Sequence, residues 1–119
     1  MLEKTKNKTS KGTALITGGS SGIGAIYADR LAKRGHELIL VARSREKLDS
    51  LAKRITDDTG RSVETIVADL NDKADRARIE DVLHTDARIT LLVNNAGGNF
   101  SRGKVFLQIR RHHGHNARI

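Results

Sequence analysis

Short apolar runs alternate with stretches of helical period along the middle of the chain. Thr13-Ala14-Leu15-Ile16-Thr17 predicts a short strand that ends in a glycine-rich turn. Beyond the turn, Ile23, Ile26, Tyr27 and Leu31 recur at offsets 0, 3, 4 and 8 and predict one buried face of a helix over residues 22–34. Gly35 supplies the stop, because glycine adopts positive φ most readily just past a last turn. Glu37-Leu38-Ile39-Leu40-Val41-Ala42 predicts a second strand, apolar enough to be buried on both faces. Ser44 then caps a second helix with a stripe of Leu48, Leu51, Ala52 and Ile55, closed by Asp57-Asp58-Thr59-Gly60. Residues 62–68 predict a third strand, whose interior Glu64 and Thr65 place it at a sheet edge. A weaker helix from about Asp72 carries Ile79, Val82 and Leu83, and Ile89-Thr90-Leu91-Leu92-Val93-Asn94 reads as a fourth strand.

A βαβαβαβ alternation with buried strands implies an α/β fold, a parallel sheet with right-handed crossovers and helices on its faces. After Gly98 neither period continues, so residues 99–119 receive no structure from the pattern. If the sheet stops at its fourth strand, that strand is a bare edge lined by Ile89, Leu91, Leu92 and Val93. Each such side chain left half-wet forfeits part of about 1.5–3 kcal/mol, which predicts a marginal, association-prone domain.

Charge changes little of this picture. The chain has 119 residues and a net charge of +8. Residues 1–12 carry +3, residues 98–119 carry +5, and residues 13–97 balance 13 basic against 13 acidic groups. The excess lies in two tails, not on one folded face, which argues against specific nucleic-acid binding. Tyr27, Phe100 and Phe106 are the three aromatics, too few for a base-stacking platform. Cysteine is absent, so disulfides and thiolate metal sites are excluded and a reducing cytoplasm is the expected compartment. His112, His113 and His115 cluster without a carboxylate and read as a solvated tail, not a metal site. No apolar run nears the roughly 18 residues of a membrane span, and none of signal-peptide type follows the charged N-terminus.

The chemistry concentrates in Thr17-Gly18-Gly19-Ser20-Ser21-Gly22-Ile23-Gly24. Glycines there let the backbone bend sharply and approach a ligand closely. The helix start behind them offers free N–H groups and a positive dipole end, a seat for a diphosphate. The spacing is T-G-x-x-x-G-x-G, not the G-x-G-x-x-G dinucleotide fingerprint. At the end of the second strand stands Ala42-Arg43-Ser44-Arg45, where an acid would read ribose hydroxyls and an arginine would accept a 2′-phosphate. An ordinary solvated pair of cations is the alternative, although two cations at a helix N-terminus cost about 0.3–1 kcal/mol each. A bound phosphate reverses that sign. The pattern therefore predicts NADP in preference to NAD, with Arg43 as the main contact.

Four elements in order make the sequence resemble the N-terminal half of a short-chain dehydrogenase/reductase: the turn at residues 17–24, Arg43, Asp69-Leu70, and Asn94-Asn95-Ala96-Gly97. The resemblance implies a Rossmann-like doubly wound parallel sheet of order 3-2-1-4, truncated after the fourth strand. Residues 13–98 would form the partial dinucleotide-binding domain, flanked by a basic tail at 1–12 and an irregular basic tail at 99–119. It implies that Asp69 accepts from the adenine amino group with the Leu70 backbone beside it. Asn94, Asn95, Ala96 and Gly97 would line the ribose side and brace the sheet. Read alone, Asp69 is equally a cap or turn residue, and residues 94–97 a polar strand exit.

The implied reaction is hydride transfer between a nicotinamide dinucleotide and a small carbonyl or alcohol substrate. The family's serine, its Tyr-x-x-x-Lys pair and a supporting asparagine lie beyond the Asn-Asn-Ala-Gly motif. The single tyrosine, Tyr27, stands on the first helix with Leu31 four residues later, and Ser101 follows the motif too closely. No catalytic residue carries over, and the chain as written is expected to be inactive. A one-nucleotide shift across residues 113–117 permits Met-Ala-Thr-Met-Leu, which resembles the helix the family places there and makes an out-of-frame tail a second expectation. The rival readings are a non-catalytic nucleotide-binding module and a weak binder of anionic surfaces or nucleic acid through the basic tails.

Overall fold

A computed structural model describes residues 10–20 and 22–95 in full, and the backbone alone of residues 105–109. The elements follow in the order β1 (Thr13–Thr17), α1 (Gly22–Lys33), β2 (Glu37–Ala42), α2 (Arg45–Thr59), β3 (Val63–Val67), α3 (Lys73–Thr85), β4 (Ile89–Asn95) and β5 (Val105–Ile109). They form one sheet of order β3-β2-β1-β4-β5, whose first four strands are parallel. This is the predicted Rossmann-like α/β fold, with β3 at an edge as its polar interior required.

The period of two along the strands divides the core. Ala14, Ile16, Leu38 and Leu40 point to the face covered by α1 and α2, where they meet Ala28, Leu48, Leu51 and Ile55. Leu15, Ile39 and Val41 point the other way and pack with Ile79, Leu83, Ile89 and Leu92. Right-handed crossovers explain the split. The chain steps from β1 through β2 to β3 in one direction, then returns past both to β4, which carries α3 to the opposite face. Ser44 caps α2 by accepting from Lys47 N–H, and Asp72 caps α3 by accepting from Asp75 N–H.

Two expectations need correction. The buried face of α1 is Gly24, Ala28 and Ala32, whereas Ile23 and Ile26 are 43% and 52% exposed and Tyr27 and Leu31 are half-buried. Small side chains let the helix approach the sheet and the glycine turn closely; isoleucines on that face would hold it away. The second correction concerns the edge. β4 is not bare, because β5 pairs with it antiparallel, from Leu91 opposite Ile109 to Asn95 opposite Val105. An antiparallel neighbour needs only a returning loop and no crossover helix, so the βα alternation gave no sign of it.

At the amino-terminal end of the sheet, His36 has a buried Nδ1 without a hydrogen-bond partner among the described residues. Burial lowers its pKa from 6.5, helped by the charges of Lys11 and Arg61 and opposed by the polar Gly12 backbone and by Glu37. The unfolded chain therefore takes up a proton first as the pH falls below 6.5, and stability declines from there down to the lowered folded value. Thermal melting between pH 7.5 and 5.5 should show this decline, and His36→Phe should flatten it; an unchanged slope would exclude His36 as its source.

Candidate functional site at the carboxyl ends of the strands

The exits of β1, β2, β3 and β4 share one edge of the sheet, and the residues expected to bind a cofactor stand on them. β1 leads away to β2 on one side, while β4 lies on the other. A doubly wound sheet opens a ligand crevice at such a reversal. The glycine turn occupies that position.

Its geometry is set by the neighbouring strands. The N–H groups of Gly18 and Gly19 both donate to the Val41 carbonyl, at 2.8 and 3.2 Å. Those two amides are thus committed to the sheet and do not face a ligand; Gly18 serves by its φ of 66°. Thr17 is fully buried, and its hydroxyl donates to Asn94 Oδ1 and accepts from Asn95 N–H, each at 3.0 Å. Asn95 Nδ2 adds a longer contact to the Gly18 carbonyl at 3.4 Å. Asn94 and Asn95 consequently tie β4 to the start of the turn.

Gly24 must lack a side chain, because a Cβ built there would overlap the Gly18 carbonyl oxygen. Gly22, with φ 60°, has nothing within 4 Å of such a Cβ and leaves open space at the helix start. The N–H groups of Ser20, Gly22 and Ile23 have no backbone partner among the described residues. First-turn amides of a helix lack intrahelical acceptors, so they are available to an anion. Ser21, Ala96 and Gly97, also expected at the site, lie outside the described residues.

Arg43 follows β2 directly, is exposed, and makes no side-chain hydrogen bond or ion pair among the described residues. Asp69 stands two residues beyond β3. Its Oδ1 accepts from Asn71 N–H at 3.0 Å, whereas Oδ2 has no partner among the described residues. Leu70 is half-buried against the α3-side core. Sequence reasoning missed the Val41 carbonyl, which is backbone and carries no residue signal. It also missed Asp75, whose Oδ2 accepts from Asp69 N–H at 2.8 Å. Asp72-Lys73-Ala74-Asp75 has the spacing of a capping box, which could have drawn attention to it. The Asp69 N–H holds the Asp75 carboxyl below its usual pKa, with Arg78 helping.

No group of three or more metal-ligating side chains occurs among the described residues, and none of their helices is long and apolar enough to cross a membrane.

The sequence model of a family described as short chain dehydrogenase matches residues 12–114. A very-long-chain 3-oxoacyl-CoA reductase of Anas platyrhynchos is 40% identical over 101 residues, covering 81% of this chain and 31% of that protein. A 17-beta-hydroxysteroid dehydrogenase type 3 of Danio rerio is 45% identical over 85 residues, 71% of this chain and 27% of that one. Among solved structures, a bulky-bulky ketone specific alcohol dehydrogenase from Comamonas testosteroni superposes with TM-score 0.74 at 48% identity, over 78% of this chain and 38% of its own. A short-chain dehydrogenase from Sphingobium yanoikuyae in complex with NADPH gives 0.67 at 56% identity, over 68% and 32%. The chain thus spans about a third of the length of the relatives it matches.

Proposed function

The chain belongs to the short-chain dehydrogenase family, and from that premise we propose that it binds NADP at the carboxyl edge of its sheet as the cofactor half of a carbonyl/alcohol oxidoreductase. The observation that carries this reading is the turn between β1 and α1, where unpartnered amides at Ser20, Gly22 and Ile23 border the space open beside Gly22. These amides would hold the diphosphate. Arg43 would meet the 2′-phosphate, Asp69 and Leu70 the adenine, and Asn94 and Asn95 the ribose side. NADP, when bound, supplies or accepts the hydride.

The 119 residues contain no Tyr-x-x-x-Lys pair, so we assign them binding and orientation of the cofactor and no proton transfer. The same observation favours, as a second reading, a nucleotide-binding module that turns nothing over. The NADPH-complexed neighbours, which include an L-sorbose reductase from Gluconobacter frateurii with NADPH and L-sorbose, support both the phosphorylated cofactor and the carbonyl class.

Calorimetric titration with NADP and NAD tests the proposal. The chain should bind NADP more tightly, and Arg43→Ala should weaken NADP by about 10–100-fold, the scale of one charge-assisted hydrogen bond, leaving NAD unchanged. Equal affinities in the parent chain, or NADP binding unaffected by the substitution, would overturn the assignment of Arg43.

A further inference from the structure

Three side chains at the start of α3 hold the main chain where it leaves β3. Arg78 Nη2 donates to the Val67 carbonyl at 3.1 Å, Asp75 Oδ2 accepts from Asp69 N–H at 2.8 Å, and Arg76 Nη1 donates to the Leu70 carbonyl at 2.9 Å. Arg78 also reaches Asp75 Oδ1 at 3.3 Å, which joins two of the three into one unit. A strand exit normally has free torsions, and a carboxylate on it swings with its backbone. Here three of four consecutive residues, 67, 69 and 70, are each gripped at a backbone polar atom by side chains of one helix.

We propose that Asp75, with Arg76 and Arg78, is a positioning residue that fixes the Asp69 carboxylate and thereby sets the selectivity of the site for an adenine amino group. The proposal rests on the functional reading above, in which Asp69 faces the base. Asp75 itself touches no nucleotide. Its carboxylate orients the Asp69 backbone, the Asn71 N–H occupies Asp69 Oδ1, and the remaining oxygen is left for an exocyclic amine. An adenine presents that donor; hypoxanthine presents a carbonyl oxygen in the same place and would be repelled.

The test compares NADP, its deaminated hypoxanthine analogue, and NAD on the full chain. The parent should prefer NADP to the deaminated analogue by about tenfold or more, the worth of one hydrogen bond to a charged group. Asp75→Ala should bring that ratio close to one while the NADP-to-NAD ratio, set at Arg43, stays unchanged. A general loss of structure would instead weaken all three nucleotides together. Asp75→Asn, which keeps an oxygen to accept from Asp69 N–H, should restore the adenine preference. Should Asp75→Ala fail to fold, Asp75→Ser serves in its place, being too short to span the gap.

An Asp75→Ala or Asp75→Ser chain that keeps the parent's adenine preference overturns the positioning role and leaves the functional reading standing. A parent chain that binds NADP and its deaminated analogue equally overturns the Asp69 assignment and this inference with it. A parent chain that binds no nucleotide overturns the functional reading itself.

Discussion

Gly24→Ala is expected to cost the chain both stability and NADP affinity. In an exposed helix the exchange would gain about 1 kcal/mol from helix propensity. At this position the new methyl group would overlap the Gly18 carbonyl oxygen and lie 2.9 Å from the Gly18 carbonyl carbon and 3.0 Å from the Gly19 Cα. All three neighbours are backbone, so no side chain can swing aside. Either α1 lifts from the sheet or the turn shifts, and overpacking of this kind costs about 1–3 kcal/mol. Losing two amide contacts to a diphosphate, at about 1.5–3 kcal/mol each, weakens binding by at least about 100-fold. Denaturant unfolding and NADP calorimetry read the two effects separately. Gly22→Ala is the control for the unfolding measurement alone: its methyl meets no protein atom and bears the strain of a positive φ, about 1–2 kcal/mol, while entering the space assigned to the diphosphate. A Gly24→Ala chain that unfolds and binds like its parent would contradict the packing of α1 on the turn.

Thr17→Val should be the next most damaging change. The substitution keeps the shape of a fully buried side chain and removes only the hydroxyl. That hydroxyl satisfies Asn94 Oδ1 and the Asn95 N–H together, bridging β1 to β4 at the point where the turn begins. Each group stranded without a partner costs about 1–3 kcal/mol, and both asparagines keep some solvent access, so about 2–4 kcal/mol is expected in all. Urea unfolding should show a lower midpoint at constant slope. Thr17→Ser retains the hydroxyl and should lose less than half as much. If Thr17→Val proves as stable as the parent chain, the bridge contributes nothing.

Much of the architecture was legible in the residues. The bounds of β1 and β2 coincide with their apolar runs, Ser44 caps the helix that follows it, and Glu64 marks an edge strand. These are local matters: a pleat alternates sides, a cap needs a short acceptor, and an interior strand excludes charge. The order β3-β2-β1-β4 came from the family resemblance, and given that order the handedness of crossovers places α1 and α2 on one face and α3 on the other. The residues proposed to bind a nucleotide were picked out by type and by resemblance, the glycines and an arginine for their chemistry and the asparagine pair for its place in the family's motif.

What the residues could not reveal was which atoms meet across the sheet. The stripe of Ile23 and Ile26 outweighs Gly24, Ala28 and Ala32 in hydrophobicity, yet the smaller set is buried, since closeness of approach to the turn and sheet decides the face. Val41 offers only a carbonyl to the turn, Asp75 acts on a backbone amide six residues away, and β5 closes β4 by a pairing that no period announces. Local pattern determined the first seven elements and their succession along the chain. Only the tertiary structure decided the helix face, the committed amides and the clamped strand exit, because each depends on distances between segments that chain order alone leaves free.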